Sequence, residues 1–184
     1  IVRIGFGRPA APVDEAQRLF AGMAARTSLR LVAVHIHVGS QIMVAAELAA
    51  AVEPLAALGQ FQVYDLGGGL GARYTYTDHP PGVGDYLDAL IGAAKEHLPA
   101  EAQVIIEPGR SMVAEAAATI YRVTTVKRGA LTFVAVDGGM GDNLEVALFG
   151  QRFEATVVSR FGGGTEVTLV GKHCESGDVL VDPV

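Results

Sequence analysis

The sequence has one cysteine, no tryptophan and few charged residues for its length of 184. A single cysteine, Cys174, cannot close an internal disulfide bond. This excludes the disulfide-stapled scaffolds of small secreted proteins and favours a reduced, cytoplasmic protein. Charged residues make up 18% of the chain and leave a net charge of −6. Because no basic run is interleaved with aromatic residues, we expect neither nucleic acid nor an anionic membrane as a partner.

Long apolar runs are also missing, since none reaches the roughly 20 residues that a membrane-spanning helix needs. The start of the sequence has no signal-peptide pattern, and Ile1–Ile4 already has the composition of a strand. Hydrophobic residues, in contrast, make up 50% of the chain. That is enough to form the core of one or two compact domains.

Up to about residue 106, short apolar runs alternate with longer helical patterns. The runs predict four strands, Ile1–Ile4, Leu31–His37, Phe61–Leu66 and Gln103–Ile106. The helical spacing of apolar residues predicts three helices, Val13–Ala25, Val44–Leu58 and Gly84–His97. This alternation is typical of a parallel sheet, and polar or glycine-rich strand ends are typical of a β/α barrel. We therefore expect about half of an eightfold barrel.

From about Ala117 the helical periods fade. Apolar runs separated by glycine-rich turns predict four further strands, Ala118–Val126, Leu131–Val136, Phe153–Val158 and Glu166–Val170. The sequence thus predicts an α/β domain over residues 1–116 followed by part of a β-domain over residues 117–184.

Two histidines lie at the end of the second predicted strand. Strand alternation puts His35 and His37 on the same face. At a barrel rim one of them could stack on a planar cofactor, while Ser40 and the Gly39 backbone hold a phosphate. A zinc pair or a hydrogen-bonded core histidine is the alternative. Zinc is disfavoured because no third ligand is evident nearby.

Glycines follow the third predicted strand directly, over Gly67–Gly71. Backbone amides of consecutive glycines can close around a phosphate because no Cβ intervenes. The segment lacks the lysine and hydroxyl residue of the nucleotide-binding phosphate loop. A tight turn is the alternative interpretation.

Glu107 and Arg110 follow the fourth predicted strand. A carboxylate at a barrel mouth needs a partner, and a pyridinium N–H is a suitable one. The guanidinium of Arg110 can grip a carboxylate or a phosphate. An ordinary surface ion pair at a turn is the alternative.

Two loops in the second half also contain polar groups. The loop Asp137–Asp142 has too few carboxylates for an EF-hand, so we interpret it as a structural or pocket-edge loop and predict no metal site. Cys174 lies between polar residues and close to two acids, Glu175 and Asp178. That setting suits a proton donor better than a core residue, although a lone cysteine is usually an inert hydrophobe.

Five motifs in a fixed order carry a family resemblance. They are HIHVGSQI (His35–Ile42), DLGGGLG (Asp65–Gly71), EPGRSMVAEA (Glu107–Ala116), VAVDGGM (Val134–Met140) and VGKHCESGDVL (Val170–Leu180). Together they resemble the fold type III, pyridoxal-phosphate-dependent diaminopimelate/ornithine decarboxylases, and the CESGD cluster is the diaminopimelate decarboxylase version.

This resemblance implies a fold and an assembly. The fold would be an alanine-racemase-like (β/α)8 barrel that binds pyridoxal 5'-phosphate, followed by a C-terminal β-domain. The protein would act on an amino acid in lysine biosynthesis, as a head-to-tail homodimer whose active sites are shared between protomers.

The resemblance also implies roles for single residues. Contacts with the cofactor would come from His37, Ser40, Gly68, Gly69, Glu107, Gly109 and Arg110. His37 would stack on the ring and Glu107 would pair with its nitrogen. Related racemases have an arginine at that nitrogen, so Glu107 favours decarboxylation. Arg110 would also bind a substrate carboxylate, Cys174 would donate a proton from the opposite protomer, and Glu175 would contact the substrate amine.

Two departures from the family pattern concern catalysis. The family attaches its cofactor to a lysine on the first barrel strand, whereas Lys95, Lys127 and Lys172 are not at a predicted strand mouth. A late tyrosine that contacts the phosphate is also missing. We therefore expect a chain that is incomplete at both ends and is not catalytically competent by itself.

A third departure concerns the substrate. The family stretch Arg-Pro-Ala-Leu-Tyr corresponds here to Glu145–Phe149, so Glu145 replaces the arginine and Phe149 the tyrosine that grip the distal end of diaminopimelate. Because like charges repel at contact range, Glu145 cannot grip a carboxylate. Either the substrate has a cationic or neutral distal end, or Glu145 faces solvent. A non-catalytic homologue that binds the cofactor or a partner is the alternative function.

Overall fold

The computed structural model describes residues 2–5, 12–160, 164 and 166–182. The chain divides into two units, the first made of Ile1–Arg73 and His79–Glu115, the second of Tyr74–Asp78 and Ala116–Val184. The short segment Tyr74–Asp78 thus groups with the second unit, although the sequence pattern placed it in the first.

The first unit contains a sheet of four parallel strands in the order β1-β2-β3-β4. The strands are β1 (Val2–Gly5), β2 (Ala33–His37), β3 (Val63–Asp65) and β4 (Gln103–Ile105). The helices are α1 (Val13–Ala24), α2 (Ala45–Ala49), α3 (Val52–Ala56), α4 (Val83–His97) and α5 (Arg110–Val113), and a 3-10 turn follows at Ala114–Ala116. The predicted parallel sheet is confirmed, and of the first predicted strand only Ile1 lies outside the described residues.

The single helix predicted over Val44–Leu58 is wrong, since α2 ends at Ala49 and α3 begins at Val52. The reason is Pro54. Proline has no amide hydrogen, and its ring collides with the carbonyl four residues earlier in a continuous helix. That carbonyl belongs to Ala50, the residue that caps α2. Pro54 is tolerated in the first turn of α3, where its amide would be unpaired in any case.

The core of the first unit lies between the sheet and its helices. It contains residues with less than 2% of their surface exposed, namely Ala16, Val34, Ile36, Val52, Leu55, Tyr64 and Tyr86. Phe61 makes edge-to-face contacts with Phe20 and Tyr64, at centroid distances of 5.6 and 5.7 Å. The Tyr64 hydroxyl donates to the carbonyl of Gly59 and accepts from the amide of Phe61, so this buried polar group is satisfied.

The second unit contains another four-stranded sheet, in the order β5-β6-β7-β8. Its elements are β5 (Val123–Arg128), β6 (Thr132–Val136), α6 (Glu145–Phe149), β7 (Thr168–Val170) and β8 (Val179–Val181). β5 and β6 are antiparallel, β6 and β7 parallel, and β7 and β8 antiparallel. The buried residues Val136, Leu180 and Val181 form its small core.

In the second unit the predicted strand Phe153–Val158 is wrong, and a helix that was not predicted lies at Glu145–Phe149. The segment 145–149 is a helix that ends at Gly150, whose φ of 64° is the left-handed conformation typical of a helix C-terminus. The segment 153–158 belongs to no strand ladder, and Glu154 instead contacts the segment 74–78. The amide of Glu154 donates to the carbonyl of Tyr74 and its carboxylate accepts from the amide of Tyr76. No helix among the residues described is both long and apolar enough to cross a membrane.

In the first unit, the loops that follow β2, β3 and β4 are joined by backbone hydrogen bonds. The amide of Glu107 donates to the carbonyl of Gly67 at 2.7 Å, and the amide of Ile42 donates to the carbonyl of Gly69 at 2.9 Å. The three consecutive glycines permit this approach. A Cβ on Gly67 would overlap the carbonyl oxygen of Ile36, and one on Gly68 would overlap that of Glu107. The glycine-rich loop is therefore first of all a requirement of close backbone packing.

Substituting Gly68 tests this requirement. Gly68→Ala should lower the free energy of unfolding of the complete protein by about 1–3 kcal/mol, because a methyl group has no room beside the Glu107 backbone. Gly92→Ala is the matched control, since a Cβ at this exposed position of α4 meets nothing within 4 Å. Gly92→Ala should raise stability by up to about 1 kcal/mol. Urea denaturation measures both variants, and equal effects would show that packing does not explain Gly68.

Candidate functional site

The candidate residues of the first unit lie just beyond the carboxyl ends of its parallel strands. His37 ends β2 and Ser40 follows in the next loop, and both are exposed. Gly68 and Gly69 follow β3, and Gly68 is buried against the backbone of Glu107. Since parallel strands end at one edge of a sheet, the sequence-predicted residues of this unit lie at that common edge.

The fourth strand contributes the charged candidates. Glu107 follows β4, and its side chain has 51% of its surface exposed. Gly109 is exposed and its amide donates to the Glu107 carbonyl at 2.9 Å. Arg110 is half-buried at the first position of α5. A carboxylate and a guanidinium thus lie within four residues of each other at this strand end.

A second histidine lies behind Glu107. His35 has only 5% of its surface exposed, and its Nε2 lies 3.3 Å from Oε2 of Glu107. His35 also pairs in register with Asp65 on β3. One ring nitrogen of His35 and one carboxylate oxygen each of Asp65 and Glu107 lie within 4.8 Å of one another. The expectation that His35 has no third ligand group nearby is therefore wrong, although such a cluster does not by itself establish a metal site.

The loop after β2 is held by Gln41, which sequence analysis missed. Gln41 has a φ of 59°, a left-handed conformation that is uncommon for a residue with a side chain. Its amide group compensates by donating to the carbonyl of Ala72 and accepting from the amide of Ala72 at 3.0 Å. This pair of bonds ties the loop that carries Ser40 to the loop that follows the glycines.

In the second unit, the loop between β7 and β8 carries Cys174, which is exposed. The loop is anchored by Asp178, which has 2% of its surface exposed. Asp178 accepts hydrogen bonds from the amides of Met140 and His173, and its Oδ2 lies 2.9 Å from Nδ1 of His173. The bond from Met140 joins this loop to the Asp137–Asp142 loop.

The pKa of Asp178 reflects this anchoring. Burial alone would raise the pKa, but the hydrogen bonds from Met140 and His173 outweigh it and hold the pKa below the ordinary value of 3.8. Nearby, burial raises the pKa of Tyr121, and the carboxylates of Asp142, Asp178 and Asp137 raise it further. Tyr121 therefore remains a neutral phenol beside three carboxylates.

The loop Asp137–Asp142 is built from structural hydrogen bonds. Asp137 accepts from the amide of Arg122 at 2.8 Å, and Asp142 accepts from the amide of Gly139 at 2.9 Å. Such bonds agree with the interpretation of a structural loop. The anchoring role of Asp178 was missed because its bond to the Met140 amide joins residues 38 positions apart in the chain.

The remaining candidates also belong to the second unit. Glu175 follows Cys174 and is exposed, and its carboxylate accepts from the Ser176 hydroxyl at 3.2 Å. Glu145 is half-buried at the first position of α6, and its amide donates to the side chain of Asn143. Phe149 ends the same helix with 79% of its surface exposed.

Residues 5–114 match the family described as pyridoxal-dependent decarboxylase, pyridoxal binding domain. The chain is 42% identical over 172 residues to the diaminopimelate decarboxylase of Actinosynnema pretiosum subsp. auranticum, and 38% identical over 170 residues to that of Bacillus subtilis (strain 168). The alignments cover 85% and 83% of this chain but 38% and 39% of the two relatives. The chain thus spans well under half the length of these relatives.

Solved structures give the same fold. The diaminopimelate decarboxylase of Helicobacter pylori complexed with L-lysine matches 95% of this chain and 45% of its own, with a TM-score of 0.83 and 27% identity. A lysine/ornithine decarboxylase from Vibrio vulnificus complexed with cadaverine matches 99% and 52%, with a TM-score of 0.85 and 21% identity. At that identity the second likeness concerns the fold alone.

Replacing Asp178 tests its anchoring role. Asp178→Asn places an N–H₂ group against a donor, so it should lower the free energy of unfolding at neutral pH by about 2 kcal/mol. Because the pKa of Asp178 is lowered by folding, its contribution is present above pH 3.8 and is lost as the pH falls through the folded-state value. The difference between the unmodified protein and the variant should therefore shrink in acid.

The control for this prediction is Asp142→Asn, which changes an exposed carboxylate of the same group of loops. It should cost well under about 1 kcal/mol, since an exposed acceptor is readily replaced by water. Thermal unfolding of the complete protein from neutral pH to below 3.8 measures both variants. A pH-independent loss for Asp178→Asn would contradict the role of its charge.

Proposed function

The chain belongs to the pyridoxal-dependent decarboxylases, and we propose that the complete protein removes the carboxyl group of an amino acid, converting meso-diaminopimelate to lysine. The observation that carries the proposal is Glu107, a half-exposed carboxylate at the sheet edge that is held from behind by the buried His35. The names of the relatives, and the L-lysine bound to the Helicobacter pylori enzyme, support the choice of substrate and product.

The cofactor is pyridoxal 5'-phosphate, since the matched family domain is a pyridoxal binding domain. The residues at the sheet edge fit it. The exposed hydroxyl of Ser40 and the exposed backbone of Gly109, where a Cβ would meet nothing within 4 Å, suit a phosphate. The carboxylate of Glu107 suits a protonated ring nitrogen, and the exposed imidazole of His37 suits the face of an aromatic ring.

When bound, pyridoxal phosphate supplies an electron sink for the charge left at Cα as CO₂ departs. Glu107 would hold the proton on the ring nitrogen and so strengthen that sink. Arg110 would grip the carboxylate of the substrate with its guanidinium fork. Ser40, Gly68, Gly69 and Gly109 would hold the phosphate and fix the orientation of the cofactor.

Reprotonation of the substrate requires a positioned acid. Cys174 is our candidate because its thiol is exposed on a loop that the buried Asp178 anchors. Glu175, next in sequence and also exposed, would contact the substrate amine. We propose that these two residues act in the active site of the opposite protomer, in a homodimer.

Glu145 and Phe149 raise the question of the distal end of the substrate. They lie four residues apart on α6, so both can face one ligand. A carboxylate at Glu145 would repel the distal carboxylate of diaminopimelate. A substrate with a cationic or neutral distal end is therefore the alternative to diaminopimelate, and it requires Glu145 to face the substrate.

The architecture and the location follow the same family. We propose that residues 1–116 form half of a (β/α)8 barrel and residues 117–184 part of the β-domain. The single cysteine supports a location in the reducing cytoplasm.

The test is CO₂ release by the complete protein with added pyridoxal phosphate. Meso-diaminopimelate should be decarboxylated in preference to lysine, ornithine and arginine if Glu145 is a bystander. Release from one of the other three alone would assign substrate choice to Glu145 and Phe149. If the protein binds the cofactor but releases CO₂ from none of the four amino acids, the enzyme proposal is contradicted and a non-catalytic homologue is favoured.

Cys174→Ala is the control for the chemistry in this assay. It should slow CO₂ release by about a hundredfold, the usual contribution of a positioned acid, without weakening the binding of pyridoxal phosphate. Loss of cofactor binding in the same variant would show that Cys174 has a structural role instead.

A further inference from the structure

His35 is a buried, ionisable residue to which the proposed function gives no role toward the cofactor or the substrate. Strand β2 buries Val34, His35 and Ile36 in succession, so this stretch is covered on both faces. A buried imidazole must satisfy its N–H group or lose the hydrogen bond that it made with water. Glu107 provides a partner, with Oε2 3.3 Å from Nε2 of His35.

The chemistry of the partner assigns the proton on the ring. A carboxylate only accepts hydrogen bonds, so Nε2 must carry the hydrogen and donate it to Oε2 of Glu107. Asp65 is held nearby because its Oδ1 accepts from the amide of Gly67 at 3.0 Å. His35 and Asp65 pair in register on β2 and β3. Glu107 lies two residues beyond β4, and its amide donates to the carbonyl of Gly67 at 2.7 Å, so its backbone is held against the end of β3.

We propose that His35 is a positioning residue for Glu107, and that it holds one carboxylate oxygen so that the other faces the ring nitrogen of the cofactor. The inference rests on the proposed function, because that function makes the cofactor the partner of the second carboxylate oxygen of Glu107. Glutamate has three side-chain torsions, and a half-exposed glutamate without a buried donor would sample many orientations. Contact with His35 from the buried side removes much of that freedom before the cofactor binds.

Binding of two ligands distinguishes positioning from general damage. The first is pyridoxal phosphate, and the second is its 1-deaza analogue, in which a C–H group replaces the ring nitrogen. Only the first can use a correctly oriented Glu107. The preference is the ratio of the two dissociation constants, and it is unaffected by a defect that weakens both ligands equally.

The variants are His35→Leu, which removes the donor, and His35→Gln, whose side-chain amide N–H can still donate. In the complete protein, His35→Leu should reduce the preference for pyridoxal phosphate by about fivefold, a modest value because Glu107 is half exposed. His35→Gln should retain most of the preference. If His35→Leu fails to fold, loss of the preference in His35→Gln relative to the unmodified protein would overturn the proposal.

Glu107→Gln separates failure of this inference from failure of the proposed function. If the unmodified protein binds both ligands equally, Glu107 does not pair with the ring nitrogen, and the proposed role of Glu107 fails together with that of His35. If Glu107→Gln abolishes the preference but His35→Leu retains it, the proposed function stands and the positioning role of His35 is overturned. Loss of the preference in both variants supports the inference.

Discussion

The close approach of three strand ends at Gly67–Gly69 is the constraint on which the first unit depends. The carbonyl oxygens of Ile36, Gly39 and Glu107 lie where side chains on these glycines would be. The same contacts set the spacing between the β2 loop and the segment that carries Glu107. Any cofactor pocket at this edge therefore has a floor of packed backbone. The glycine-rich sequence at this strand end thus serves packing first, and the phosphate binding that we propose would use the amides that packing leaves accessible.

A comparable constraint acts in the second unit, where loops are joined by one buried carboxylate and not by close backbone packing. Asp178 bonds to two loops through the amides of Met140 and His173. An ion that accepts several hydrogen bonds in a buried site fixes its donors strongly, because any donor that leaves exposes an unpaired charge. The exposed Cys174 therefore lies on a loop that is anchored at Asp178, as the proton transfer that we propose for it would require.

The sequence predicted the parallel sheet and the helices α1 and α4, because these depend on local periodicity and on the glycines and prolines that end an element. It did not predict the break at Pro54, although the signal was present in a proline four residues after Ala50. The segment 153–158 alternates like a strand but lacks a free neighbour, which only tertiary structure can reveal. A hydrogen-bonded core histidine was one interpretation of His35, but the partners of His35 and Asp178 were not predicted, since they are distant in the chain.

In the function that we propose, the protonation state of the bound cofactor would depend most directly on Glu107. Complete protein loaded with pyridoxal phosphate labelled with ¹⁵N in the ring would report that state through the ¹⁵N chemical shift. We expect a protonated ring nitrogen at neutral pH, since a carboxylate at hydrogen-bond distance favours the charged ring. An unprotonated nitrogen in the unmodified protein would contradict the assignment of Glu107, and with it the decarboxylase chemistry proposed for this sheet edge.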